Sequence, residues 1–217
     1  METFAVLLDG KPIKTPMRKT LAVPVRALAD AIAEEWCRQG EKVVPQSMPL
    51  TKLANTAIDR VDGRESEIID AIVAYANDLL CYRAEGPDEL AARQNENWNP
   101  LLEWVAERHG VRLNTAIGIS HIKQPEESVA AARAALAEHD AFALTALHNA
   151  ATICGSLVLV LALADRRLDA EEAFALSQLD ERYQAEKWGS DTEAAKRTAA
   201  LAAELDATVR FLRLSQG

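Results

Sequence analysis

The stretch Ala141 to Ala164, "AFALTALHNAATICGSLVLVLALA", carries no charged side chain over a length that could cross a bilayer. Two folds compete for it, a transmembrane span and a central helix buried in a bundle. Thr145, Asn149, Thr152 and Ser156 recur at i, i+4, i+7 and i+11, which draws one polar stripe down an Ala-rich helix. A stripe of this kind fits a helix packed among protein neighbours better than one facing lipid. The expectation is therefore a buried central helix over the whole segment, with no membrane insertion.

Working outward toward the C terminus, the remaining periodicity is helical. Asp169 to Trp188 reads as one helix and Asp191 to about Leu214 as another, the latter begun by a capping-box pair of Ser190 and Glu193. Toward the N terminus, "ESEIIDAIVAYANDLL" reads as one helix. "PDELAARQNENW" leads into "NPLLEWVAERHG", where Pro100 is expected to begin or kink a new helix. "VRLNTAIGISHIKQP" is the long non-helical connection before "PEESVAAARAALAEH".

Before Asp62-Gly63 the pattern differs. "FAVLL", the turn dipeptide Asp9-Gly10 and "KPIKT" predict a hairpin, with "TLAV" as a further strand. Two amphipathic helices follow. One buries Val25, Leu28, Ala29, Ile32 and Trp36; the other buries Leu50, Leu53, Ala54, Ala57, Ile58 and Val61. The fold class expected is α+β, with a small N-terminal α/β domain over residues 1–63 and a larger all-helical domain over 64–217.

The 217 residues can bury a substantial core, and 49% hydrophobic with 26% charged residues is ordinary globular usage. A net charge of −9, with basic residues scattered, opposes nucleic acid as a partner. Cys37, Cys81 and Cys154 are far apart and odd in number, which reads as free thiols. "METFAVLLDG" lacks the pattern of a signal peptide, so export is not expected.

Catalytic signatures are sparse. The sequence contains no Gly-rich phosphate loop, no G-x-S-x-G and no H-E-x-x-H. His109, His121, His139 and His148 sit on different predicted elements, so neither a metal nor any other cofactor is expected. Asp180 and Glu181 could form half of a general acid/base pair, and a metal-dependent hydrolase built on them with His121 or His139 is the enzymatic alternative.

On a continuous helix from Asp169 to Trp188, Phe174, Gln178, Glu181, Ala185 and Trp188 share one stripe. Leu176, Leu179 and Tyr183 lie opposite and supply a face for the core. The first stripe is then either covered by a neighbouring helix or left as an interaction surface with a polar anchor.

Five ordered motifs span nearly the whole chain: "LLDGKPIKTP", "MPLTKLANTAIDRV", "DLLCYRAEGP", "WNPLLEW" and "LDERYQAEKWGSD". Together they resemble the ATP synthase assembly chaperone family that attends the α subunit of the F-type ATPase catalytic head. The resemblance implies a non-enzymatic protein with no small-molecule substrate. It would bind the newly made α subunit, prevent its aggregation and give way to the β subunit. Relatives act in the mitochondrial matrix or, in bacteria, the cytoplasm; without a presequence the bacterial cytoplasm is expected. The family's important acidic residue maps to Glu181, and the partner-binding set expected around it is Asp180, Gln184, Trp188, Phe174 and Gln178. Two positions depart from the family pattern. Asn99 stands where an Asp is usual, and the strand-forming segment that usually precedes the hairpin is not in this sequence.

Overall fold

The computed structural model describes residues 3–189 and 191–217. It is α+β, with short strands and two helices first and a helical array after them. Strand β1 (Phe4–Ala5) pairs antiparallel with β4 (Ala22–Val23), and β2 (Leu7–Leu8) with β3 (Lys11–Pro12). Asp9 and Gly10 close the hairpin with both φ angles positive, 51° and 75°, as a two-residue primed turn requires. Val6 ties the two pairs together, donating to the Leu21 carbonyl and accepting from the Ile13 N–H.

Helix α1 (Arg26–Cys37) and helix α2 (Pro49–Thr56) follow, and α2 runs on as a π-helical turn over Ala57–Val61. Leu50, Leu53, Ala54, Ala57, Ile58 and Val61 are all buried, as their spacing predicts. Asp59 clamps this turn to the sheet, accepting from the Thr15 hydroxyl at 2.7 Å and the Met17 N–H at 3.0 Å.

The helix expected from Glu65 to Leu80 ends early. Helix α3 (Glu65–Val73) tightens into a 3₁₀ turn through Ala76, and a second 3₁₀ turn spans Leu79–Cys81. Buried Asp78 explains the break: its carboxylate takes the Leu80 N–H, an N-cap geometry that a continuous helix excludes. Strand β5 (Tyr82–Arg83) then pairs parallel with β6 (Ala116–Ile117), which lies inside the long connection. Between them, α4 (Asp88–His109) runs unbroken through Pro100, so Pro100 neither starts a helix nor ends one.

Helix α5 (Glu126–Leu136) leads to the segment that decides the fold. It is two helices, α6 (Ala141–Cys154) and α7 (Leu157–Ala164), not one. Gly155 caps α6 at φ 64°, and Ser156 caps α7 by accepting from the Leu159 N–H. No described helix is long and apolar enough to cross a membrane. The extreme hydropathy of α7 has a packing cause: every residue from Leu157 to Leu163 is at most 2% exposed. Each large aliphatic side chain so buried contributes about 1.5–3 kcal/mol.

Residues 169–188 also form two helices, α8 (Ala170–Ser177) and α9 (Leu179–Trp188), before α10 (Thr192–Gln216). The capping box expected from Ser190 involves a residue outside those described. At the start of α10, Asp191 accepts from the Glu193 and Ala194 N–H groups. One hydrophobic cluster runs from Val6 and Leu21 through α6 and α7 to Phe211 and Leu212, so the early elements and the helical array share a core.

Candidate functional site

The break between α8 and α9 determines how the predicted site residues are presented. Trp98, fully buried on α4, donates its indole N–H to the Leu176 carbonyl at 3.1 Å. In a continuous helix that carbonyl would receive the Asp180 N–H. The Ser177 hydroxyl turns back to the Phe174 carbonyl at 2.9 Å, and Gln178 leaves helical geometry at φ −107°, ψ 20°. The stripe from Phe174 to Trp188 is therefore not one straight helical face.

Helix α9 is held by its other side. Tyr183 is 4% exposed, and its hydroxyl donates to Glu89 of α4 at 3.3 Å. The Arg93 guanidinium and the Lys187 ammonium lie 5.2 and 5.3 Å from its ring centre. Lys187 pairs with Glu89 at 2.8 Å and Arg93 with Glu186 at 2.7 Å. The hydrogen bond from Lys187 holds the Glu89 carboxyl below its ordinary range.

The six candidate residues divide accordingly. Glu181 and Gln184 are exposed, Trp188 is 77% exposed, and the three occur at i, i+3 and i+7 on one face of α9. Glu181 has no hydrogen bond or ion pair with any described residue. Asp180 turns the other way and accepts from buried Gln94 at 2.8 Å. Phe174 is half-buried and packs on the core, and Gln178 is half-buried at the break.

Behind Asp180 lies a polar network anchored on Arg83, which is 7% exposed. Its guanidinium donates to Asn95 at 3.1 Å, to Asn99 at 2.7 Å and to the Leu80 carbonyl, and it stands 5.1 Å from the centre of the Trp98 ring. Burial lowers the Arg83 pKa, opposed by Cys81, Asp78 and Asp180. Gln94 completes the network by accepting from the Ala84 N–H at 2.8 Å. Sequence reasoning did not single out Gln94, Arg83 or Arg93. A signal was present for Gln94, a polar residue one helical turn before Trp98 on the same buried face.

For a metal, the histidines do not converge with the two acids. His121 is exposed in the connection after α4, His139 precedes α6, and His148 lies midway along α6. No group of three or more His, Cys, Asp or Glu side chains among the described residues could hold a metal ion.

Comparison with known proteins agrees with this architecture. Residues 1–106 match the family model described as ATP12 chaperone protein. The chain is 32% identical over 199 residues to the mitochondrial protein atp12 of Schizosaccharomyces pombe, covering 85% of this chain and 68% of that one. The crystal structure of Atp12 from Paracoccus denitrificans superposes with a TM-score of 0.93 at 42% identity, covering 97% of this chain and 91% of that one. An aspartate-to-lysine variant of the same P. denitrificans protein superposes with a TM-score of 0.94 at 41% identity, covering 98% of this chain and 92% of that one. The fold is thus that of a chaperone, and on it α9 presents an exposed acidic and aromatic face.

The chain belongs to the ATP12 chaperone family, the ATP synthase assembly chaperones that its five motifs resemble.

Proposed function

We propose that this protein captures the newly made α subunit of the F-type ATP synthase catalytic head, keeps it from aggregating and releases it to the β subunit. The observation that carries this reading is the α9 face. Trp188 stands 77% exposed on the same face as Glu181, two helical turns away, and the Glu181 carboxylate has no described partner. A large aromatic left in water on one face with a free charge matches the anchor residues of protein interfaces. Glu181, Gln184 and Trp188 form the centre of the contact, with Asp180, Phe174 and Gln178 at its inner margin. A basic side chain of the α subunit pairs with Glu181, giving orientation and selectivity more than affinity, because desolvating both charges opposes their attraction.

In this reading residues 1–63 form the small α+β domain and 64–217 the helical domain, the latter bearing the α9 contact. The protein has no catalytic activity of its own and uses no small-molecule substrate. It acts in the bacterial cytoplasm, in keeping with its higher identity to the P. denitrificans protein than to the yeast mitochondrial one. Dilution of denatured α subunit into buffer with and without this protein tests the proposal by light scattering. Suppression at near-stoichiometric amounts, reversed by added β subunit, is expected. Equal scattering with and without the protein would overturn it.

A further inference from the structure

A groove of about 730 Å³ opens between α2 with its π-helical extension on one side and α6 and α10 on the other. Leu53, Val61 and Ile68 line it from one wall, and Ala200, Ala203 and Ala207 from the other. The three alanines fall at i, i+3 and i+7 of α10, so their short side chains let a second backbone approach closely. This wall continues into an uncovered helix, because residues 191–200 are exposed at every position.

The rims carry opposite charge. Lys52 and Arg60 stand on the α2 side, both exposed, and neither pairs with a carboxylate among the described residues. Glu204 stands across from them on α10. The two cations are eight residues apart, about 12 Å along a helix. They complement an occupant with acidic groups about two helical turns apart, while Glu204 favours a basic group on its other flank.

We propose that this groove receives an amphipathic helix of the captured subunit. The helix lies apolar face down, with acidic side chains toward Lys52 and Arg60 and a basic one toward Glu204. This second contact rests on the client-capture reading above and extends it from the α9 face to the junction of the α+β elements with the helical array.

The test uses the full chain and the isolated α subunit. Ala203→Trp fills the groove from an exposed position, and Lys52→Glu with Arg60→Glu reverses the rim. Each variant is compared with wild type for α-subunit affinity, aggregation suppression and thermal unfolding. The expected result is affinity weakened about tenfold or more, with the unfolding transition unchanged for the charge-reversal pair. A photo-crosslinker attached through Ala203→Cys, with the exposed Cys37 replaced by serine so that the label sits only in the groove, should label an acidic amphipathic helix of the α subunit. If wild type and both variants protect the α subunit equally, the groove is overturned and capture stands. If wild type itself fails to protect, both fall. Crosslinking to a second copy of this chain in place of the α subunit would also overturn the groove as a client site.

Discussion

Arg83 donates a 2.7 Å hydrogen bond to Asn99, so the side-chain oxygen of an exposed asparagine meets a buried guanidinium. Asn99→Asp should turn this contact into an ion pair. Because Asn99 is exposed, water screens the pair, and the gain expected is about 0.5–1 kcal/mol. For a chain of this size that is a rise of about 1–4 °C in unfolding temperature. Calorimetry at neutral pH and at pH 3 checks it, since the gain should vanish once the new carboxyl is protonated.

Glu35 on α1 caps α2 from a distance. Its carboxylate accepts from the Leu50 N–H, the Thr51 N–H and the Thr51 hydroxyl at 2.7–2.8 Å, and the residue is 6% exposed. Glu35→Ala strands two helix N-terminal donors in the core, each costing about 1–3 kcal/mol. A loss of roughly 2–6 kcal/mol is expected in denaturant unfolding, with Thr51→Val costing less because the backbone bonds survive.

Asp78 supplies a pH dependence with a definite sign. Desolvation raises its pKa from 3.8 to about 6, although the Val158 and Leu80 N–H groups and the Ser156 hydroxyl oppose the shift. The folded state therefore holds this proton more tightly than the unfolded chain. Its stabilising contribution is complete below pH 4 and is lost as pH rises through about 6, by roughly 3 kcal/mol in total. Unfolding free energies measured between pH 4 and 7.5 should show that component. Asp78→Asn should lack the component and be less stable throughout, because Leu80, Ser156 and Val158 all present donors to this side chain and the amide NH2 group cannot accept from any of them.

Glu181→Lys and Trp188→Ala should leave stability within about 0.5 kcal/mol, the ordinary range for surface changes. Both should reduce protection of the α subunit, the lysine variant by placing like charges together at the contact. Unfolding and light scattering on the same preparation decide the matter. A variant normal in both assays would remove its residue from the mechanism, and a collapsed unfolding temperature would assign it to the core.

The sequence by itself determined the elements whose cause is local. Asp9-Gly10 made the hairpin because that dipeptide accepts positive φ at both positions. The apolar spacing of Leu50 to Val61 set the buried face of α2, and the five ordered motifs identified the family. What it could not reveal were the places where a distant side chain replaces a local hydrogen bond. Asp78 ends α3 early by capping Leu80. Trp98, far from α8 in sequence, takes the Leu176 carbonyl and divides what the period read as one helix. Gly155 was visible in the sequence, but only the Ser156 and Asp78 contacts made it a boundary and not a tolerated mid-helix glycine. The same distinction separates Asp180 from Glu181. Adjacent in sequence and alike in chemistry, they point opposite ways, because Tyr183 docking on α4 fixes the rotation of α9 and turns Asp180 toward Gln94 and Glu181 toward solvent.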